Sequence, residues 1–219
     1  MKHKLYPLGL AALMTLTACG ANAANQTPAE STAPMESAAP MESTAPAELV
    51  LPDWMPLGTE LLAPETEHLP LLADVIAETY MIPEEERAST RYAYNYVDLN
   101  GDGQDEIFAL VLGPYTSGTG GDSGLLVLPY AGMTVSQRFT LLRGPILVSD
   151  HTTNGANDLI CLRSGGGAEP ALITLTAVDG VYGNLSDAPT LETTEGLTGT
   201  AILAGDMMLQ PEAFLPLEG

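Results

Sequence analysis

The chain has 219 residues, 45% of them hydrophobic, with 28 acidic against 7 basic side chains and a formal net charge of -21. That length holds one domain of ordinary size, or one domain with appendages. The basic residues Lys2, Lys4, Arg87, Arg91, Arg138, Arg143 and Arg163 are too few and too scattered to neutralise phosphates, which excludes nucleic acid as a partner, and the same charge repels anionic lipid headgroups, so any membrane attachment has to be covalent.

Residues 1–18 begin with Lys2 and Lys4, run through an apolar stretch from Leu8 to Leu16 and end in small residues. The apolar part is too short to span a bilayer and has the form of a secretory signal. Leu16-Thr17-Ala18-Cys19 resembles the lipobox of bacterial lipoproteins. That resemblance implies cleavage before Cys19, a diacylglyceryl thioether and an N-acyl group (palmitate or a similar chain) on Cys19, and a lipid anchor in the cell envelope. More than one acyl chain, at about 0.8 kcal/mol per buried CH₂, gives stable anchoring. Gly20 stands where an inner-membrane retention signal has aspartate, so the same family rule directs the protein to the outer membrane if the host has two membranes. A chain starting at Cys19 keeps all 28 acidic residues and only five arginines.

Residues 19–48 are read as a disordered tether. Beyond Cys19 they contain no aromatic or large aliphatic residue, carry Glu30, Glu36, Glu42 and Glu48, and repeat Ala-Pro-Met-Glu-Ser at 33–37 and 39–43. With so little to bury, such a segment cannot offset its conformational entropy.

The folded domain is placed at 49–219. Trp54 is expected to pack on the domain edge. Thr66 is positioned to cap a helix over 67–81 whose face is Leu69, Leu72, Val75, Ile76 and Tyr80, and Pro83-Glu84-Glu85-Glu86 suits a second helical start. From Tyr92 the period becomes two, with strand-like runs at 92–97, 106–112, 124–129, 134–140, 145–149, 158–163 and 170–178. The expected fold is α+β and β-rich: a mainly antiparallel sheet of about seven short strands with an N-terminal helix. A shift of 52 residues lays Asp150-His151-Thr152-Thr153-Asn154-Gly155-Ala156-Asn157-Asp158-Leu159 on Asp98 through Ile107, a blade-like pseudo-repeat with too few copies for a closed propeller.

The sharpest motif is Asp98-Leu99-Asn100-Gly101-Asp102-Gly103-Gln104-Asp105-Glu106. Oxygen side chains at alternate positions followed by glycine are how a short loop surrounds a hard cation. The expected ligands for Ca²⁺ are the side chains of Asp98, Asn100 and Asp102, the Gln104 carbonyl and Glu106. It is not a full EF-hand, because Ala109 occupies the twelfth position. The competing reading is a tight turn in which Asn and Asp side chains bond nearby amides. Val97 through Ile107 resembles the calcium-type loops of FG-GAP and VCBS repeats. The wider run over 90–185, with Gly118-Thr119-Gly120-Gly121, Asn154-Gly155 and Asp158-Leu159-Ile160, is similar to uncharacterised bacterial envelope proteins. The cysteine pair often found there is replaced here by Thr116 or Ser117 and Asp122.

Gly121-Asp122-Ser123-Gly124 resembles the nucleophile motif of trypsin-like proteases, with His68, Asp98 or Asp102, and Ser123 in matching chain order. The family's surroundings of the histidine and the residues after the serine are absent, and a triad requires one geometry rather than residue types in order. His151 beside Asp150 is read as a loop histidine, Cys161 as a small buried hydrophobe, Gly165-Gly166-Gly167 as a hairpin turn, and the Tyr92, Tyr94, Tyr96 stripe as sheet packing before glycan stacking. The resulting expectation is a non-enzymatic binding or structural domain whose partner is the membrane through its lipid and an unknown envelope protein or glycan. The alternatives are an envelope hydrolase with an unidentified site and an acidic periplasmic inhibitor of a basic enzyme.

Overall fold

A computed structural model describes Leu49 and residues 51–116, 121–165 and 168–219. The signal segment 1–18, Cys19 and the tether 19–48 lie outside the described residues, as do Ser117–Gly120 and Gly166–Gly167. In chain order the elements are β1 (Glu60–Leu61), α1 (Pro70–Tyr80), α2 (Glu84–Arg87), β2 (Arg91–Val97), β3 (Glu106–Leu112), β4 (Asp122–Leu128), β5 (Thr134–Leu142), β6 (Ile146–Thr153), β7 (Ala156–Gly165), β8 (Ala168–Leu175), β9 (Ala177–Val178), β10 (Val181–Tyr182), β11 (Gly199–Ile202) and β12 (Leu215–Pro216).

The strands form two five-stranded sheets and one small hairpin. The first sheet has the order β12-β2-β3-β4-β5, the second β1-β11-β6-β7-β8, and β9 pairs with β10. Every pairing is antiparallel except β1 with β11. The protein is therefore β-rich α+β, with α1 and α2 at the start of the domain and single 3-10 turns at Pro129–Ala131 and Pro211–Ala213.

Alternation of side chains sorts the apolar residues into three layers. Ala93, Phe108, Leu110, Leu126 and Phe139 of the first sheet meet Ile146, Val148, Leu159, Cys161, Ile173 and Ile202 of the second. The Phe108 and Phe139 rings stack there at 5.2 Å. The other face of the first sheet, carrying Tyr92, Tyr94, Ile107, Ala109, Leu125 and Val127, is covered by Leu72, Ala73, Ile76 and Ala77 of α1. The other face of the second sheet, with Leu147, Ile160 and Ala201, is covered by Met55 and by half-buried Leu51, Trp54 and Leu61. Trp54 thus covers the outer face of the second sheet. A strand buried on both faces needs apolar residues at every position, and for that reason β3 reads Ile107-Phe108-Ala109-Leu110-Val111 without a break.

The helix begins later than the periodicity predicts. Leu69 is extended at the N-cap and Pro70 takes the first helical turn, with no side-chain cap; Thr66 does not serve. The cause is local: the ring of Pro70 disfavours helical geometry at Leu69, while proline itself suits the first turn. The tyrosine stripe lies where sheet packing puts it, with Tyr92 and Tyr94 stacked under α1 at 6.0 Å and Tyr96 partly exposed.

Asn95 ties the layers together. It is fully buried on β2, donates from Nδ2 to the Ala63 carbonyl at 2.7 Å and accepts at Oδ1 from the Leu203 amide at 2.8 Å.

Candidate functional site

The Asp98–Glu106 loop joins β2 to β3 and is built from its own side chains. Asp98 Oδ1 accepts from the amides of Gly101 at 2.7 Å and Asn100 at 3.3 Å, and its Oδ2 accepts from Gly103 at 2.8 Å. Asn100 Oδ1 takes the Asp102 amide and Asp102 Oδ1 takes the Gln104 amide, each at 2.8 Å. Gly101 and Gly103 both sit at positive φ, which lets the chain turn around Asp98 without strain. These amide bonds, Gly103 first, lower the Asp98 carboxyl from its ordinary value and so favour its charged form.

Glu106 is the inward end of the loop. At 3% exposure, its Oε2 accepts from the Leu99 amide at 2.9 Å, and its Oε1 accepts from Asn100 Nδ2 at 3.3 Å and the Tyr130 hydroxyl at 3.0 Å. The Leu99 carbonyl then takes the Asn157 amide of β7 at 2.8 Å, which carries the loop across from the first sheet to the second. The paired turn of the second sheet, Asn154-Gly155 between β6 and β7, sits at positive φ at both residues, and Asn154 Nδ2 donates to the Ala177 carbonyl.

A Ca²⁺ ion fits this loop in part. A carboxylate offers about four acceptor positions and an amide oxygen two. After the turn bonds, Asn100 and Asp102 have one acceptor position taken each, while Asp98 and Glu106 each have three of about four taken, and Glu106 is in addition turned inward at 3% exposure. Among the described residues no three histidine, cysteine or carboxylate side chains group as a metal site would, and in this loop the remaining oxygen donors are Asn100 and the Gln104 carbonyl. The ion would neutralise charge and brace the turn; Glu106 would orient Asn100 and Leu99 rather than serve as a bidentate ligand.

The protease-like motif is dispersed. Ser123 is buried in β4 and donates from Oγ to the Thr116 carbonyl. His68 instead stands against Tyr92 and the Leu217 carbonyl. His151 is bonded through Nδ1 to Asp158 Oδ2 at 2.7 Å, not to the adjacent Asp150. That pairing is invisible to a turn-based reading, because it depends on a bulge in β6 between Val148 and Thr152 that sets three residues opposite one. Cys161 is fully buried in the inter-sheet core, and burial pushes its thiol up to about 12, so it is unreactive.

No family model, curated protein or solved structure matches this chain. Among the described residues no helix is long and apolar enough to cross a membrane. One open cleft of about 210 Å³ lies between Gln137–Thr140 of β5 and Gly183–Asp187, and a second of about 200 Å³ is lined by His68, Asp74, Glu84 and Arg87.

Proposed function

We propose that this protein is a lipid-anchored cell-envelope module, held by acylated Cys19 on the 19–48 tether, whose 49–219 domain binds or braces an envelope partner without chemistry of its own. The observation that carries the reading is the Asp98–Glu106 corner. Its charged rim faces solvent, while Glu106 and the Leu99–Asn157 bond fix it to both sheets. Such a corner is a rigid, carboxylate-rich contact surface, and Ca²⁺ held by Asp98, Asn100, Asp102 and the Gln104 carbonyl would make it more so. In the same reading the two meanders are copies of one unit, supported by the equivalent places of the Asp98 loop and the Asn154 turn at the first hairpin of each sheet.

Metabolic labelling with palmitate tests the anchor. The full chain is expected to take up label and fractionate with membranes, and Cys19→Ser to lose both; an unlabelled wild-type chain overturns the anchor. Zero-length crosslinking in intact cells tests the contact surface. Adducts that persist after Asp98→Asn with Asp102→Asn place the partner elsewhere on the domain.

A further inference from the structure

At the other end of the first sheet from the Asp98 loop, β4 opens on a carboxylate in an apolar setting. Asp122 is 4% exposed, and its Oδ1 has no hydrogen-bond partner. Leu142 of β5 stands opposite it, and the adjacent pairing of Ser123 with Val111 shows that β3 brings no titratable side chain to this position. The charged groups that face it are Arg143, just after β5, and Asp206, in the segment after β11.

Both of those groups are turned to other partners. Arg143 donates from Nε to Ser164 Oγ of β7 at 2.8 Å and from Nη1 to the Met208 sulfur at 3.1 Å. Asp206 Oδ1 accepts the amides of Met208 and Leu209 at 2.9 and 3.0 Å, which shapes the turn that presents Met208 to Arg143. A neutral carboxyl tolerates the Asp122 site. An anion there lacks compensation, since burying an unpaired charge costs far more than burying a paired one. The nearest source of compensation is a guanidinium held by a hydroxyl and a thioether, both weaker acceptors for it than a carboxylate. Burial raises the Asp122 carboxyl to about 6, with Arg143 pulling it down and Asp206 pushing it up.

We propose that Asp122 and Arg143 form a proton-operated latch: with Asp122 protonated, Arg143 joins β7 to the Asp206–Gln210 turn, and when Asp122 gives its proton to solvent it takes the guanidinium and frees that turn. The latch is closed in acid and open at neutral pH. Opening releases the segment that carries Met208 and Leu209, both exposed apolar side chains.

Hydrogen exchange on the full chain at pH 5 and pH 7.5, corrected for the intrinsic pH dependence of exchange, tests the latch. Protection of the 206–210 amides is expected to fall severalfold at the higher pH in the wild type and to stay at its pH 5 level in Asp122→Asn. Equal wild-type protection at both values, or a fall that survives Asp122→Asn, overturns the proposal. Should that variant fail to fold, a carbon NMR titration of the wild type decides instead: the Met208 methyl signal has to move with the midpoint of the Asp122 carboxyl, and a methyl that ignores that midpoint overturns it.

Discussion

Asn95 concentrates two long-range bonds in one buried amide. Replacing it with leucine keeps the volume but leaves the Ala63 carbonyl and the Leu203 amide without their partner. Each stranded buried group costs about 1–3 kcal/mol, so Asn95→Leu is expected to lower stability by about 2–6 kcal/mol, read as a fall in the urea midpoint at unchanged slope. Asp122 predicts the opposite sign. Its carboxyl is raised from 3.8 to about 6 in the folded chain, so the native state holds this proton more tightly than the unfolded chain does. The favourable contribution is complete below about pH 4 and is lost as pH rises through about 6; its full size is about 3 kcal/mol at 1.36 kcal/mol per pKa unit. Asp122→Asn is therefore expected to be more stable than wild type at pH 7 and to lose that advantage near pH 4, in denaturant curves taken across that range. A wild type whose stability rises between pH 4 and pH 6 while the variant's stays flat contradicts the assignment. Nothing in the sequence pointed to Asp122 as a buried acid: the residues around it carry a protease-like motif and a glycine-rich connection, and burial at that position is decided by Leu142, Arg143 and Asp206 from distant parts of the chain.

Elements that bury both faces were the easiest to read. The run 106–112, one of the strand-like runs set off by turn residues after Tyr92, is β3 from end to end, and burial on both faces accounts for its unbroken apolar character. Strands β1, β11 and β12 have only two to four residues, too few to display a period, and their pairing is set by where the chain returns. Helix α1 was legible in its face but not its start, because the periodic signal extends through residues that Pro70 forces out of helical geometry. That face gives an element-scale prediction. Ile76 is fully buried against β2, β3 and β4, so Ile76→Ala is expected to cost about 2–5 kcal/mol by lost transfer energy and residual cavity, measured as a shift in the denaturant midpoint. At the start of β11, Gly199 has φ near +155°, and a Cβ there would lie 2.1 Å from the Val148 carbonyl oxygen. Gly199→Ala is expected to destabilise by more than about 1 kcal/mol and to expose β1 and β11 first, seen as selective loss of exchange protection at 60–61 and 199–202.

At the scale of the whole molecule, charge is barely compensated. Of the five arginines in the described residues, Arg87 alone lies within 4 Å of a carboxylate, on Asp74, and the others that form bonds turn to carbonyls, Ser164 or a thioether. A chain with net charge -21 repels itself, so added monovalent salt is expected to raise the melting temperature through screening alone. Calcium has to be judged above that background, in melts at fixed ionic strength. If the Asp98 loop binds with a Kd of about 1 mM, then about 10 mM Ca²⁺ adds about 1.4 kcal/mol, which for a domain of this size is about 3–6 °C. Asp98→Asn with Asp102→Asn should abolish that increment while keeping the salt response. Asp102→Asn keeps an oxygen for the Gln104 amide, whereas Asp98→Asn keeps one for the Gly101 amide but loses the bond from Gly103, so the variant melts from a lower baseline and its calcium increment is read against its own calcium-free melt. An increment of the same size in the double variant would assign calcium's effect to general screening of the acidic surface. With no increment in either protein, the loop is left as a turn closed by its own side chains.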